Sequence, residues 1–172
     1  YLFTGFMDSG KTSLIQETLF ENDFGEGAKG LLIMCEDGEV EFDEDKLSTI
    51  NFKLTSIESE EEFNKQKLEQ LNTEYMPEQV FIEYNGTWGI DKIIEAELPE
   101  GWVIVQSLAT VDSTTFDLYM NNMRAMMQEQ VFASDVIIFN RTDDDTDRGH
   151  LRRTVKNINR KAQIVYEKKD GT

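Results

Sequence analysis

The residues Gly5-Phe6-Met7-Asp8-Ser9-Gly10-Lys11-Thr12 have the spacing G-x-x-x-x-G-K-[ST]. The chemistry of that spacing is phosphate binding. Glycines let backbone N–H groups wrap an anion without side-chain clash, and a helix that starts at the second glycine adds its positive end. Lys11 is placed to reach the β and γ phosphates of a nucleotide, and the Thr12 hydroxyl to ligate Mg²⁺. Asp8 is the unusual member. A carboxylate inside a phosphate cradle repels the ligand unless it points away, so the expectation is a side chain turned outward.

Two further groups could share that site. Glu83-Tyr84-Asn85-Gly86 follows the apolar run VFI, where a carboxylate can hold the water shell of Mg²⁺ and a glycine amide can approach a γ-phosphate. Asn140-Arg141-Thr142-Asp143 follows the run VIIF. An aspartate there can accept from the N1 and N2 hydrogens of guanine, which adenine lacks, while Asn140 and the stem of Arg141 support the base. No residue type in these groups points to a dedicated catalytic base; positioning and charge stabilisation suffice for phosphoryl transfer to water.

The elements that must hold these groups are legible as alternation. Strand-like runs fall at residues 1–4, 31–34, 80–82, 102–105, 136–139 and 163–166, with helix-compatible stretches between most of them. The expected helices are 11–20, 59–75, 90–98, 114–130 and 148–159. Ser59 and Glu62 have capping-box spacing at the start of the second of these, and Pro77 follows its end. Residues 40–57 read as a loop with an extra strand at 50–54. The prediction is a single α/β domain over 1–172, a P-loop three-layer α/β/α fold with a mostly parallel sheet of about six or seven strands.

Composition narrows the class. The chain has 172 residues, 39% hydrophobic and 30% charged, which is a globular balance. Its net charge of −17 excludes the basic stripe of a nucleic-acid binder. Cys35 is the only cysteine, so no internal disulfide can form. No apolar run reaches the ~18 residues of a membrane helix, and the opening residues do not read as a signal peptide. Cytoplasmic residence is the expectation.

Taken in order, the segments GFMDSGKTS, CEDGEVEFD, FIEYNG, LATVDSTTF, ASDVIIFNRTD and INRKAQIV resemble the CobW/HypB/UreG group of P-loop GTPases, and within it the CobW-like branch. That resemblance implies GTP or GDP and Mg²⁺ as ligands, with Gly5, Asp8, Ser9, Gly10, Lys11, Thr12 and Ser13 at the phosphates. Thr12 and Glu83 would be on the Mg²⁺ side, and Gly86 in the metal-side switch. Asn140, Arg141 and Asp143 would be at the base, and Lys11 and Glu83 are the residues on which hydrolysis would rest. It further implies slow GTP hydrolysis coupled to homeostasis or delivery of a transition metal. The implied partners are a metalloprotein client or membrane transporter, and a second copy across the nucleotide face. The alternative is a guanine-nucleotide-binding interaction module with little hydrolysis.

The departures are specific. The CxCC metal motif of the CobW-like branch is missing, and the smaller second domain of that branch is expected to be absent from this chain. Glu39 matches a glutamate near the family's metal site. A replacement site would draw on Cys35, Glu36, Glu39, Asp43 and His150, although Cys35 reads more simply as a buried structural residue and His150 as a surface one. The eleven acids of residues 36–62 read mainly as a solvated face or a switch loop. Asp8 replaces Gly, Arg141 replaces Lys and Tyr84-Asn85 replaces a Thr pair, which leaves the hydrolysis rate open. Lys168 and Lys169 are both placed to flank the base.

Overall fold

The computed structural model describes residues 1–6, 8–20, 27–35 and 42–169. In chain order its elements are β1 (Leu2–Thr4), α1 (Lys11–Phe20), β2 (Gly30–Met34), α2 (Glu44–Thr49), β3 (Phe52–Ser56), α3 (Lys65–Tyr75), β4 (Gln79–Glu83), α4 (Asp91–Glu95), β5 (Ser107–Asp112), α5 (Phe116–Asn122), α6 (Arg124–Phe132), β6 (Val136–Thr142), α7 (Arg148–Ile158) and β7 (Gln163–Lys168). The strands form one seven-stranded sheet in the order β3-β2-β4-β1-β5-β6-β7. Every pairing is parallel.

Side-chain alternation along the strands divides the core between two faces. Phe3, Leu32 and Phe81 pack with Ile15 and Leu19 of α1 and Leu47 of α2. Their chain neighbours Leu2, Leu31, Ile33 and Ile82 point the other way, onto Leu68 and Leu71 of α3 and Ile93 of α4. A third cluster joins Ala109, Val111, Ile137 and Phe139 of β5 and β6 to Met127 and Val131 of α6 and Leu151 and Val155 of α7. Strands covered on both faces explain why VFI and VIIF are apolar at successive positions. The three-layer α/β fold is therefore as the sequence predicts.

Four expectations about elements change. The run at 102–105 is not a strand; β5 begins at Ser107. Strand pairing requires neighbours, and β1 starts its pairing at Leu2 opposite Ser107 while β6 starts at Val136 opposite Leu108. Residues 103–105 have no strand beside them among the described residues, and Val103 is 76% exposed. Ser59 makes no capping bond and precedes only a 3-10 turn at Glu60–Glu62. The cap of α3 is Asn64, whose side chain accepts from the Lys67 N–H at 2.9 Å. The predicted helix over 114–130 is two helices, broken at Met123. Residues 44–49 are helical, capped by Asp43, and the extra strand lies at Phe52–Ser56.

Phe81 on β4 is fully buried, with ring centroids 5.1 Å from Tyr1, 5.5 Å from Phe3 and 5.6 Å from Phe52. Phe81→Ala should lower unfolding free energy by about 3–5 kcal/mol in denaturant titration, because the three surrounding aromatic rings cannot close over the space it leaves.

Candidate functional site

All seven strands run the same way, so the residues that follow β1, β4, β6 and β7 emerge at one edge of the sheet. The segment after β1 turns at once into α1, whose first residue is Lys11. Gly10 lies at φ +99°, and a Cβ there would meet Asn140 Nδ2 at 2.7 Å. Glycine is required both for the backbone angle and for the approach of the 140–143 loop. The Lys11 side chain is 3% exposed, and its ammonium donates to the carbonyls of Gly5 at 2.6 Å and Phe6 at 2.9 Å. Ser9 is buried, its hydroxyl 2.7 Å from that of Thr110 on β5. Ser13 is exposed at the mouth of a neighbouring cavity.

Glu83, the last residue of β4, is 2% exposed. The Thr12 hydroxyl donates to its two carboxylate oxygens at 2.9 and 3.1 Å. A hydroxyl and a buried carboxylate side by side at the head of α1 form a hard oxygen donor set, which fits Mg²⁺. Beyond Glu83 the chain is held tightly. Tyr84 is fully buried, and its hydroxyl donates to the Gly89 carbonyl at 2.6 Å. Burial, and then the nearby Cys35 and acidic groups, push the Tyr84 phenol well above its ordinary pKa. Gly86 lies flat on the loop after β1: a Cβ there would sit 2.0 Å from the Gly5 carbonyl oxygen.

The 140–143 segment closes the far side. Asn140 Nδ2 donates to the Ser9 carbonyl, and its Oδ1 is buried with no partner among the described residues. Arg141 takes a left-handed backbone, φ +55°. Its guanidinium bonds Asp112 Oδ2 at 2.6 Å and the Asp8 carbonyl at 3.1 Å, tying β5 to the phosphate loop. Asp8 itself is exposed at φ +59°, so its carboxylate turns outward. Asp143 Oδ2 pairs with Lys169 at 2.8 Å, and its Oδ1 accepts from the Asp145 N–H and the Thr146 hydroxyl. The Lys169 bond comes first among the causes that hold the Asp143 carboxyl below its ordinary pKa. A cavity of about 370 Å³ runs between the two loops, lined by Gly10, Ser13, Asn140, Arg141, Glu167 and Lys169 among others.

Phosphate-loop, Glu83, Gly86 and 140–143 residues thus come together. The described members of the replacement metal site do not. Glu36 and Glu39 lie outside the described residues, as does Met7. Cys35 is buried at the end of β2, where its N–H donates to the Glu83 carbonyl. Asp43 spends its carboxylate capping α2. His150 sits on α7, paired with Asp117 at 2.8 Å. That helix packs on β6, four strand positions from β2, so on the order of 19 Å separates it from Cys35. Among the described residues no group of three or more His, Cys, Asp or Glu could hold a metal ion.

Three contributors were not singled out by sequence reasoning. Asp112 was visible only as the end of a strand-like match. Lys169 was indistinguishable from Lys168. Gln130 of α6 is buried at 3% and donates from Nε2 to the Gly86 carbonyl at 2.9 Å, and nothing in the sequence marks it.

The Asp112–Arg141 pair has a pH signature. Burial opposes the charge on Asp112, but the Thr114 hydroxyl and amide and the Arg141 guanidinium outweigh it and hold the carboxyl below its ordinary pKa. A depressed carboxylate contributes stability in full above its unfolded pKa of about 3.9 and loses it as pH falls through the lower folded value. Asp112→Asn should therefore be less stable than the parent at pH 7 by at most about 1 kcal/mol, since Arg141 is half exposed. The gap should close below about pH 4 in denaturant titrations at several pH values.

The sequence model of the CobW/HypB/UreG nucleotide-binding domain matches residues 1–166. No curated protein sequence matches the chain. Among solved structures, Zn(II)-bound YjiA GTPase from E. coli is 26% identical with a TM-score of 0.70, over 96% of this chain and 56% of that one. A Zn(II)-bound triple mutant of YjiA gives 25% and 0.72 over the same shares. The hydrogenase maturation factor HypB from Archaeoglobus fulgidus, at 18% identity and a TM-score of 0.65 over 97% of this chain and 79% of that one, shares the fold. The chain spans about half the length of YjiA. With the family match covering nearly its whole length, the chain belongs to the CobW/HypB/UreG family as a GTPase-type nucleotide-binding domain.

Proposed function

We propose that this domain binds GTP and GDP with Mg²⁺ and hydrolyses GTP slowly, as the nucleotide-driven part of a protein serving metal homeostasis or delivery. The observation that carries the reading is the cavity between the phosphate loop and the 140–143 loop, lined by Gly10, Ser13, Asn140, Arg141 and Lys169, the last of which pairs with Asp143. The Lys11 ammonium would exchange its loop carbonyls for the β and γ phosphate oxygens. Thr12 and Glu83 would hold Mg²⁺, which neutralises phosphate charge. Asp143 would accept from the guanine edge, with Lys169 keeping the carboxylate ionised and aligned. Arg141, anchored by Asp112, would lay its stem along the base. Catalysis would consist of fixed positive charge and N–H groups around the transferred phosphate, which is the larger part of what such reactions need.

The metal link rests on family membership and on the Zn(II)-bound YjiA structures. Client or transporter binding, a nucleotide-dependent dimer and cytoplasmic residence belong to the same proposal. One observation favours the second reading, a guanine-nucleotide-binding module with little hydrolysis. The side chains after Glu83 are already engaged: Tyr84 is buried, and Asn85 Oδ1 accepts from both the N–H and the hydroxyl of Thr87. None of them is presented to orient a water.

Calorimetric titration with GTP, GDP and ATP in Mg²⁺ tests the core of the proposal. Guanine nucleotides should bind at least ~10-fold more tightly than ATP. Asp143→Ala should remove that preference, at a cost of about 10- to 100-fold in GDP affinity, as expected for losing charge-assisted hydrogen bonds. Equal binding of ATP and GTP by the parent would sink the guanine assignment. Multiple-turnover phosphate release then separates the GTPase from the silent module.

A further inference from the structure

Three cations are bonded within the candidate site, and each answers something other than the side chain of Asp8. The Lys11 ammonium goes to the carbonyls of Gly5 and Phe6, Arg141 to the Asp112 carboxylate, and Lys169 to the Asp143 carboxylate. Arg141 also reaches Asp8, but at its backbone carbonyl, 3.1 Å away. Among the described residues the Asp8 carboxylate makes no ion pair.

The loop holds that carboxylate in place. The Asp8 carbonyl is tied to Arg141, the Ser9 N–H donates to the Phe6 carbonyl at 3.1 Å, and the Ser9 carbonyl accepts from Asn140. Asp8 has a left-handed backbone, φ +59°, and is exposed at a second cavity of about 260 Å³, which it lines with Phe6, Asp112, Tyr119 and Arg141. Turned outward, the carboxylate avoids contact with a bound phosphate but stays near it. Lys11, whose ammonium the phosphates would take, is three residues along the chain, so the two Cα atoms are at most about 11 Å apart. That is close to the Debye length of about 10 Å at 0.1 M salt, so repulsion between the carboxylate and a polyphosphate is only partly screened. A buried, unpaired carboxylate would cost the site its ligand, whereas an exposed one weakens binding by a graded amount.

We infer that Asp8 is an affinity-determining residue: its fixed, uncompensated carboxylate weakens the hold of the phosphate loop on both GDP and GTP and speeds their release. The inference rests on the guanine-nucleotide reading above. It assigns a charge-based control of nucleotide residence to a loop that otherwise binds through glycines, a lysine and backbone N–H groups.

The test compares the parent with Asp8→Asn, which removes the charge, keeps the volume and tolerates a left-handed backbone as Asp does. Affinities for GDP and GTPγS with Mg²⁺ are measured by calorimetry, and release of a fluorescent GDP analogue by stopped flow. Each is done at about 0.01 M and about 1 M ionic strength, where the Debye length is about 30 Å and about 3 Å. At low salt Asp8→Asn should bind both nucleotides about three- to tenfold more tightly than the parent and release the analogue at least about twofold more slowly. At high salt both differences should shrink to less than about twofold. Equal affinities at low salt, or a gain that high salt leaves unchanged, would overturn the inference and leave nucleotide binding standing. Weaker binding by Asp8→Asn would overturn it as well. If neither chain binds a guanine nucleotide, the inference and the reading beneath it both fail. Binding by Asp8→Asn alone would support both.

Discussion

Burial of the Glu83 carboxylate is the constraint from which the site follows. At 2% exposure a carboxylate without partners is far too costly to keep, so the fold must deliver donors to it. Thr12 delivers one hydroxyl to its two oxygens, which fixes the first turn of α1 against the end of β4. That contact is possible only because β1 and β4 are parallel neighbours with Phe3 opposite Glu83. The chain leaving β1 and the chain leaving β4 therefore emerge together. Gly86, three residues on, then has no room for a side chain, because the Gly5 carbonyl already occupies that space.

The same edge gathers the rest. Arg141 spans from Asp112 at the end of β5 to the carbonyl of Asp8, and Asn140 reaches the carbonyl of Ser9. These bonds use backbone carbonyls of the phosphate loop as acceptors and anchor it to the ends of β5 and β6. Asp8 can replace the usual glycine because its backbone has a left-handed angle that Asp tolerates better than most residues and its side chain is exposed. The strong negative charge of the whole chain does not contradict anion binding here. Lys11 and the loop amides act at contact range, whereas most of the acids are solvated and screened.

Much of this was legible in order and type. Gly5, Gly10, Lys11 and Thr12 have phosphate-loop spacing, and Asn140 and Asp143 follow a buried strand that brings them against that loop. The alternation of apolar runs and helical stretches gave the parallel α/β architecture because strands buried on both faces have a composition of their own. The misplaced strand at 102–105 shows the limit. Val103, Ile104 and Val105 have every local property of a strand, but pairing is decided by which neighbours lie alongside. The capping-box spacing at Ser59 failed for a similar reason: Asn64, five residues on, starts the helix that packs.

What the sequence by itself determined is which groups contiguous residues carry: a glycine loop with phosphate-loop spacing, a strand-end carboxylate, the Asn140–Asp143 tetrapeptide and the alternation that stacks them on one edge. What only the tertiary structure decided is chemistry carried by residues distant in the chain. Gln130 meets Gly86 across forty-four positions and Asp112 meets Arg141 across twenty-nine. Only Lys169, not Lys168, pairs with Asp143. His150 is removed from Cys35 by four strands of sheet. Local spacing encodes which groups a segment can offer. Which groups meet is set by strand order and helix packing, through burial energies summed over the whole chain that no short window of sequence contains.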